Sequence, residues 1–370
     1  MNTLRSLLLA NFVLLAGAGD AVAQVGPTGG RVSGGPAVAF GVVDALVGYG
    51  SGSIASLTQL SSGGNTSSRL GFRGAEDLGG GLAAGYWLEA GFNTDTGIGA
   101  TSNSDNQSGG TTSGNALSFN RRSTVSLSDL WGEVRLGRDF TATYRNRDQT
   151  DPFFTNGVGA SQPNVATLAG PTATRASNMA GYFLPPDLGG LFGEVQYFLG
   201  ENISNSLSPK DNSGNGYAVR LGYGVGPFAI AVATGLTEYA QSQTTGDIRV
   251  LNVGATLDLP AVKLSAGYYR DKVEQFVPVT GTGYIVGVVL PVGADSVKLA
   301  WSSYGTDAAG DPRADKLAIG YVYAFSKRTV AYTTFAWLRN KGGSSYALNG
   351  SLTAADRSSH GYDLGMRHNF

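Results

Sequence analysis

Runs of about ten residues with a two-residue period recur along this chain, each with one large apolar face. In GPFAIAVATGL, Phe228, Ile230 and Val232 alternate with Ala229, Ala231 and Ala233. In AVKLSAGYY, Val262, Leu264, Ala266 and Tyr268 stand against Lys263, Ser265 and Gly267. DSVKLAWSSYG sets Val297, Leu299 and Trp301 against Lys298, Ala300 and Ser302. DKLAIGYVYAF sets Leu317, Ile319, Tyr321, Tyr323 and Phe325 against Lys316, Ala318, Gly320 and Ala324. A period of two is that of a strand, and this length suits a strand crossing a bilayer at a tilt. A soluble sandwich would bury the large face; a membrane barrel would turn it to lipid. The small face separates the two, because Ala, Gly, Ser and single Lys residues suit a water-filled lumen. Tyr49, Tyr268, Tyr269, Phe325 and Trp337 stand near strand ends and are expected in interfacial girdles.

Strand starts fall near residues 38, 67, 82, 118, 132, 177, 191, 216, 227, 247, 262, 282, 296, 315, 329 and 358. That is sixteen, an even number, as an up-and-down outer-membrane barrel needs. GVGP and LPA are minimal turns, whereas the stretch from Asn93 to Asn115 is long and polar. Short turns on one side and long loops on the other are the outer-membrane pattern. The fold expected is therefore all-β, a transmembrane antiparallel barrel of sixteen strands. Its last strand, ending at Phe370, must pair with the first near Val38 to Tyr49, because an open edge in lipid leaves backbone groups unpaired.

Charged residues make up 14%, well below the roughly 25% of soluble domains, and glycine reaches 56 residues. The net charge of −1 points to no nucleic-acid partner. Cysteine is absent, which excludes a disulfide framework and thiolate metal sites. Arg5, an apolar run from Ser6 and Ala21-Val22-Ala23 read as a secretory signal peptide over 1–23. A Gly-rich lead, 24–36, precedes a barrel over 37–370.

The stretches FGVVDALVGYG, SRLGFRGAEDLGGGLAAGYWLEAGFNTDTG, FNRRSTVSLSDLWGEVRLGRDF, SKRTVAYTTFAWLRN and the terminal GMRHNF resemble the trimeric general porins of Gram-negative bacteria, in particular the beta-proteobacterial group. The resemblance covers most of 37–370 and is patchy between about 185 and 300. It implies an outer-membrane channel for ions and small hydrophilic solutes, a homotrimer in contact with lipid and lipopolysaccharide, a long third loop folded into the lumen, and no cofactor. It also implies that Phe370 belongs to the signal read by the outer-membrane assembly machinery. The chain departs from the family in its Gly-rich lead, in Arg122 where a neutral amide is usual, and in the few acids of its third loop.

Charge rings in a lumen choose ions, because a low-dielectric wall focuses their field. Leu70 and Phe72 share one face, so Arg69, Gly71 and Arg73 look inward; Glu89 does so against Leu88 and Ala90. Arg69, Arg121 and Arg175 match the family's basic wall at the constriction; the alternative for each is a solvated place on the rim. Lys263, Lys298 and Lys316 fall on lumen faces by parity. The inserted segment, Thr141 to Ala176, carries its acids Asp148 and Asp151 near its start. Asp44 and Asp363 are further candidate lumen acids. Arg138 points outward by parity with Val134 and Leu136, which suggests a trimer contact with an acid of a neighbour's loop, or snorkelling. These charges lead to an anion-preferring general diffusion pore. A substrate-selective channel for a sugar, carboxylate or phosphate is the alternative, and a secreted all-β adhesin or lectin a more distant one. No catalytic site is expected, since His360 and His368 lack a nucleophile or acid beside them, and no His/Cys cluster offers a metal site. TSNSDNQSGG has oxygen ligands but no EF-hand spacing and reads as a polar loop, and the glycines 79–81 read as a turn.

Overall fold

The computed structural model describes residues 35–112, 116–204 and 211–370. The expected signal peptide and the lead up to residue 34 lie outside them. Sixteen antiparallel strands close into one barrel, each paired with its neighbours in sequence. They begin at Gly35, Arg69, Leu82, Arg122, Gly132, Arg175, Leu191, Gly216, Phe228, Asp247, Val262, Val279, Asp295, Arg313, Thr329 and Ser358. The first strand starts two residues inside the expected lead.

Closure joins the first strand, Gly35–Ser51, to the last, Ser358–Asn369, from Val42 opposite Asn369 to Ser51 opposite His360. Gly41 and Phe370 exchange both backbone hydrogen bonds at 3.1 Å. A Cβ on Gly41 would lie 2.3 Å from the Phe370 ring, so the terminal ring covers the position that glycine leaves open. The backbone is paired around the whole ring, which a span in lipid requires. An additional loop strand, Ser56–Ser62, pairs with the upper half of the first strand.

Parity holds around the wall. Val125, Leu127, Ile230, Val232, Trp301, Leu317, Ile319, Phe335, Leu364 and Met366 are exposed on the outside. Inward positions are small or polar: Ala231, Ala233, Asn252, Ala300, Ser302, Ala318 and Ala336 are buried. An apolar exterior of this extent is a lipid-facing surface, not a soluble one. Tyr269 departs from the girdle expectation. It points inward, is buried, and its hydroxyl meets Thr150 of the third loop.

Candidate channel constriction

The third loop leaves the barrel at Phe140 and returns at Arg175. Thr141 caps helix α1, Ala142–Asp148, its Oγ1 accepting the Tyr144 N–H. Ala142 packs against Ala176, Met179, Phe198 and Ala218. Its N–H reaches Gln196 Oε1 at 2.8 Å, and Asn146 Nδ2 reaches Asn252 Oδ1 at 2.7 Å. Further on, Ser302 Oγ accepts the N–H of Gln162, which opens the short helix α2, Gln162–Val165. Thr167 donates to Asp271 at 2.5 Å. The loop crosses the lumen to the last strand, where Asp363 Oδ2 accepts the Val158 N–H at 2.8 Å. The inserted loop of the sequence reading is thus present, held by polar residues of the inner wall.

Facing α1 is a cluster of basic residues. Glu89 Oε1 lies 2.5 Å from Arg121 Nε and 3.7 Å from Arg69 Nε. Arg175 donates to the Arg121 carbonyl at 2.9 Å and lies over the Phe140 ring, 4.4 Å from its centroid. Arg121 leans toward the same ring at 6.0 Å. Phe140 stacks on Tyr144 with centroids 5.0 Å apart. The Tyr144 hydroxyl reaches Thr155 at 2.9 Å and Asp148 Oδ1 at 3.4 Å. The charges of Arg121 and Arg175 act on Asp148. The structure therefore brings Arg69, Arg121, Arg175, Glu89 and Asp148 into one zone. Burial, and next the Asp151 carboxylate, push the Asp148 carboxyl up to about 7.

Other expected site residues have different tasks. Asp151 is 1% exposed and is spent on the loop's own turn, accepting from the N–H groups of Phe153 and Ser161 and from Asn164. Lys316 and Lys298 are on the lumen side but lie under the loop: Lys316 donates to the Val158 carbonyl at 3.3 Å, and Lys298 stands over the Phe154 ring. Lys263 pairs with Asp258 beside the 259–262 turn, away from α1. Arg73 lies over Trp87, and Arg122 lies over the same ring at 4.5 Å. Asp44 and Asp363 are fully buried loop holders. Asp44 accepts the Asn65 and Thr66 N–H groups. Phe370 stands at the closing seam.

Arg138 finds acceptors on its own chain. It donates to the carbonyls of Asn120 and Asn103 at 2.6 and 2.7 Å and to Ser177 Oγ at 2.6 Å. A register shift between Gly137 and Asp139 accommodates Ser177 and Asn178, which brings the hydroxyl within reach.

Behind α1 lies a network that the sequence reading did not assemble. Asp139 takes Arg135 at 2.5 Å, Arg145 at 2.9 Å and Arg122 at 3.7 Å. Glu133 pairs with Arg135, and Glu194 with Arg145 and Arg220. Parity alone places Glu133 and Arg135 inward, opposite Val134 and Leu136. No periodicity marks Tyr144 or Arg145, which reach the site on α1, while Phe140 ends the strand before it.

The comparisons agree with this geometry. A family model described as Gram-negative porin matches residues 10–343. Outer membrane porin protein 32 of Delftia acidovorans is 32% identical over 98% of this chain and 99% of its own. A porin of Bordetella pertussis is 28% identical over 82% of each. The solved anion-selective porin from Comamonas acidovorans superposes with a TM-score of 0.79 at 30% identity, covering 90% of this chain and 99% of that one. With alternating lipid and lumen faces, a closed seam and a loop held inside the barrel, the chain belongs to the Gram-negative porin family and is an outer-membrane channel.

Proposed function

We propose that this channel is a general diffusion pore whose constriction favours anions. One observation carries the reading: among the described residues Arg69, Arg121 and Arg175 share a zone with Glu89 and a partly protonated Asp148, with the buried Asp151 carboxylate beside the latter. Three guanidiniums against less than three carboxylates, Asp151 included, leave the narrow zone positive, whatever the exposed loops carry, since salt screens those over about 10 Å. The Comamonas relative, named anion-selective, supports the same sign. The test is the zero-current potential of a planar bilayer across a potassium chloride gradient. Chloride leads, so the dilute side goes negative; a positive dilute side overturns the reading. Current block by a sugar, carboxylate or phosphate at low concentration would support the substrate-selective alternative instead.

Asp148 gives this preference a pH dependence. A carboxyl raised to about 7 is ionised above that pH and neutral below it. Ionised, it subtracts from the arginine field. The anion preference therefore grows from about pH 8 to about pH 6, and Asp148→Asn flattens the profile. An unchanged wild-type potential across that range would remove Asp148 from the constriction.

We also propose a homotrimer. Solved relatives of the fold include a trimer form of OmpT from Vibrio cholerae. Unheated samples should run near three times the 38.1 kDa chain mass in mild-detergent electrophoresis and drop after boiling. A single-barrel mass without heating counts against it. The outer wall then divides between subunit contacts and lipid, including lipopolysaccharide, and Phe370 is read during assembly.

A further inference from the structure

Guanidiniums of the inner wall lie on aromatic rings. Arg122 is 4.5 Å from the centroid of Trp87, Arg135 4.0 Å from that of Phe183 and Arg220 5.0 Å from that of Phe192. An aromatic face is electron-rich and attracts a cation. Unlike a carboxylate it carries no net charge, so an arginine held by a ring keeps its whole charge. Glu89 holds Arg121 and cancels part of its field. A ring holds and cancels nothing.

One ring differs from the rest. Among the described residues only Phe140 lies among three guanidiniums, Arg175 at 4.4 Å, Arg145 at 5.7 Å and Arg121 at 6.0 Å. Three like charges about one point repel, and each needs a hold. Arg121 has Glu89, and Arg145 has Asp139 and Glu194. For Arg175 the holds are the Arg121 carbonyl, which takes its Nε, and the Phe140 face.

The ring is itself fixed. Phe140 ends the strand Gly132–Phe140, opposite Arg175 in register. Its carbonyl accepts from Gln196 Nε2 at 3.0 Å, and its N–H goes to Asp139 Oδ1 at 2.8 Å. Tyr144, one turn along on α1, stacks on it with the planes 12° apart. Phe140 thus stands between two groups of charge. On one side Asp139 and Glu194 hold Arg145; on the other are Arg121 and Arg175.

We propose that Phe140 is the positioning residue of the constriction: its ring holds Arg175 and Arg121 over the lumen at full charge and keeps them from the acids that serve Arg145. Selectivity is then set by where the ring places the guanidiniums as well as by their number. The assignment rests on the anion reading, since it needs these arginines to meet the passing ion.

The test is the zero-current potential of the full-length protein in planar bilayers across a potassium chloride gradient, for Phe140→Leu and Phe140→Tyr. Phe140→Leu keeps every charge and an apolar side chain but removes the aromatic face. Its chloride-to-potassium permeability ratio falls about threefold, the scale of one ring–cation contact. Phe140→Tyr keeps the face and stays near the wild-type ratio. In an Arg175→Ser background the shift caused by Phe140→Leu drops to about half or less, because the ring acts through that arginine. A merely loosened loop would instead widen the pore and admit larger neutral polymers. An unchanged ratio in Phe140→Leu, or a fall in Phe140→Tyr as large as in Phe140→Leu, would overturn the assignment. So would an equal shift with and without Arg175, or entry of larger polyethylene glycols into Phe140→Leu than into wild type. A wild type that prefers potassium would sink the anion reading itself, and the shift of each variant from wild type then decides the role of Phe140 by the same outcomes.

Discussion

Replacing Arg121 with Ser moves the zero-current potential toward cations, with a fall of about fivefold in the chloride-to-potassium permeability ratio. Arg121 is the near partner of Glu89, at 2.5 Å, while Arg69 stands off at 3.7 Å. The substitution removes one positive charge and leaves the Glu89 carboxylate much less neutralised, so both changes act in the same direction. A charge a few Å from a passing ion is worth roughly 1–4 kcal/mol over the plausible range of local dielectric. The lower end already corresponds to about a fivefold ratio. Conductance in symmetric salt should change less, because the loop's fastenings to the wall do not involve Arg121. A potential equal to the wild type's would show that Arg121 does not line the narrow zone.

Asp139→Ala should be the most destabilising single substitution in the lumen, costing about 3–5 kcal/mol, as breaking a buried ion pair does. The carboxylate is 1% exposed and faces Arg135, Arg145 and Arg122. Removing it leaves mutually repelling guanidiniums behind α1. Glu133 still serves Arg135 and Glu194 still serves Arg145, which limits the loss. The measurement is urea unfolding of the refolded barrel in lipid vesicles, with Asp139→Asn as the shape-preserving control. A loss under about 1 kcal/mol would show that the neighbouring acids suffice.

The barrel was legible because each strand must satisfy two solvents at once. Lipid demands Ile230 and Val232 on one side, and the lumen tolerates only Ala231 and Ala233 on the other. Strands opening at Leu82, Gly132, Leu191, Gly216, Asp247, Val262, Thr329 and Ser358 begin where that alternation begins. Parity and the family motifs also singled out Arg69 and Arg121, which the structure sets together beside Glu89. What the period does not encode is occupancy of the lumen. Parity puts Lys298 and Lys316 inside without saying that the loop covers them. It says nothing of Asp151, whose partners Phe153, Ser161 and Asn164 are chosen by the shape of a turn. Tyr269 was misplaced because an aromatic at a strand end fits a girdle as well as a packed contact with Thr150.

The fastenings of the third loop also fix an order of events. Its contacts span 54 residues to Gln196, 106 to Asn252, 140 to Ser302 and 205 to Asp363. The chain that forms the loop is made early, but its final partner belongs to the strand that closes the ring. Contacts of such long range bear the full entropy of closing the chain before they return any stabilisation. One fastening of the loop therefore stays open until the ring closes. Until the last strand is in place, the Val158 N–H has no Asp363 carboxylate to reach, so the loop's far end is anchored last. Ring closure and the loop's final fastening are one step, and the last strand is the part of the chain that completes both.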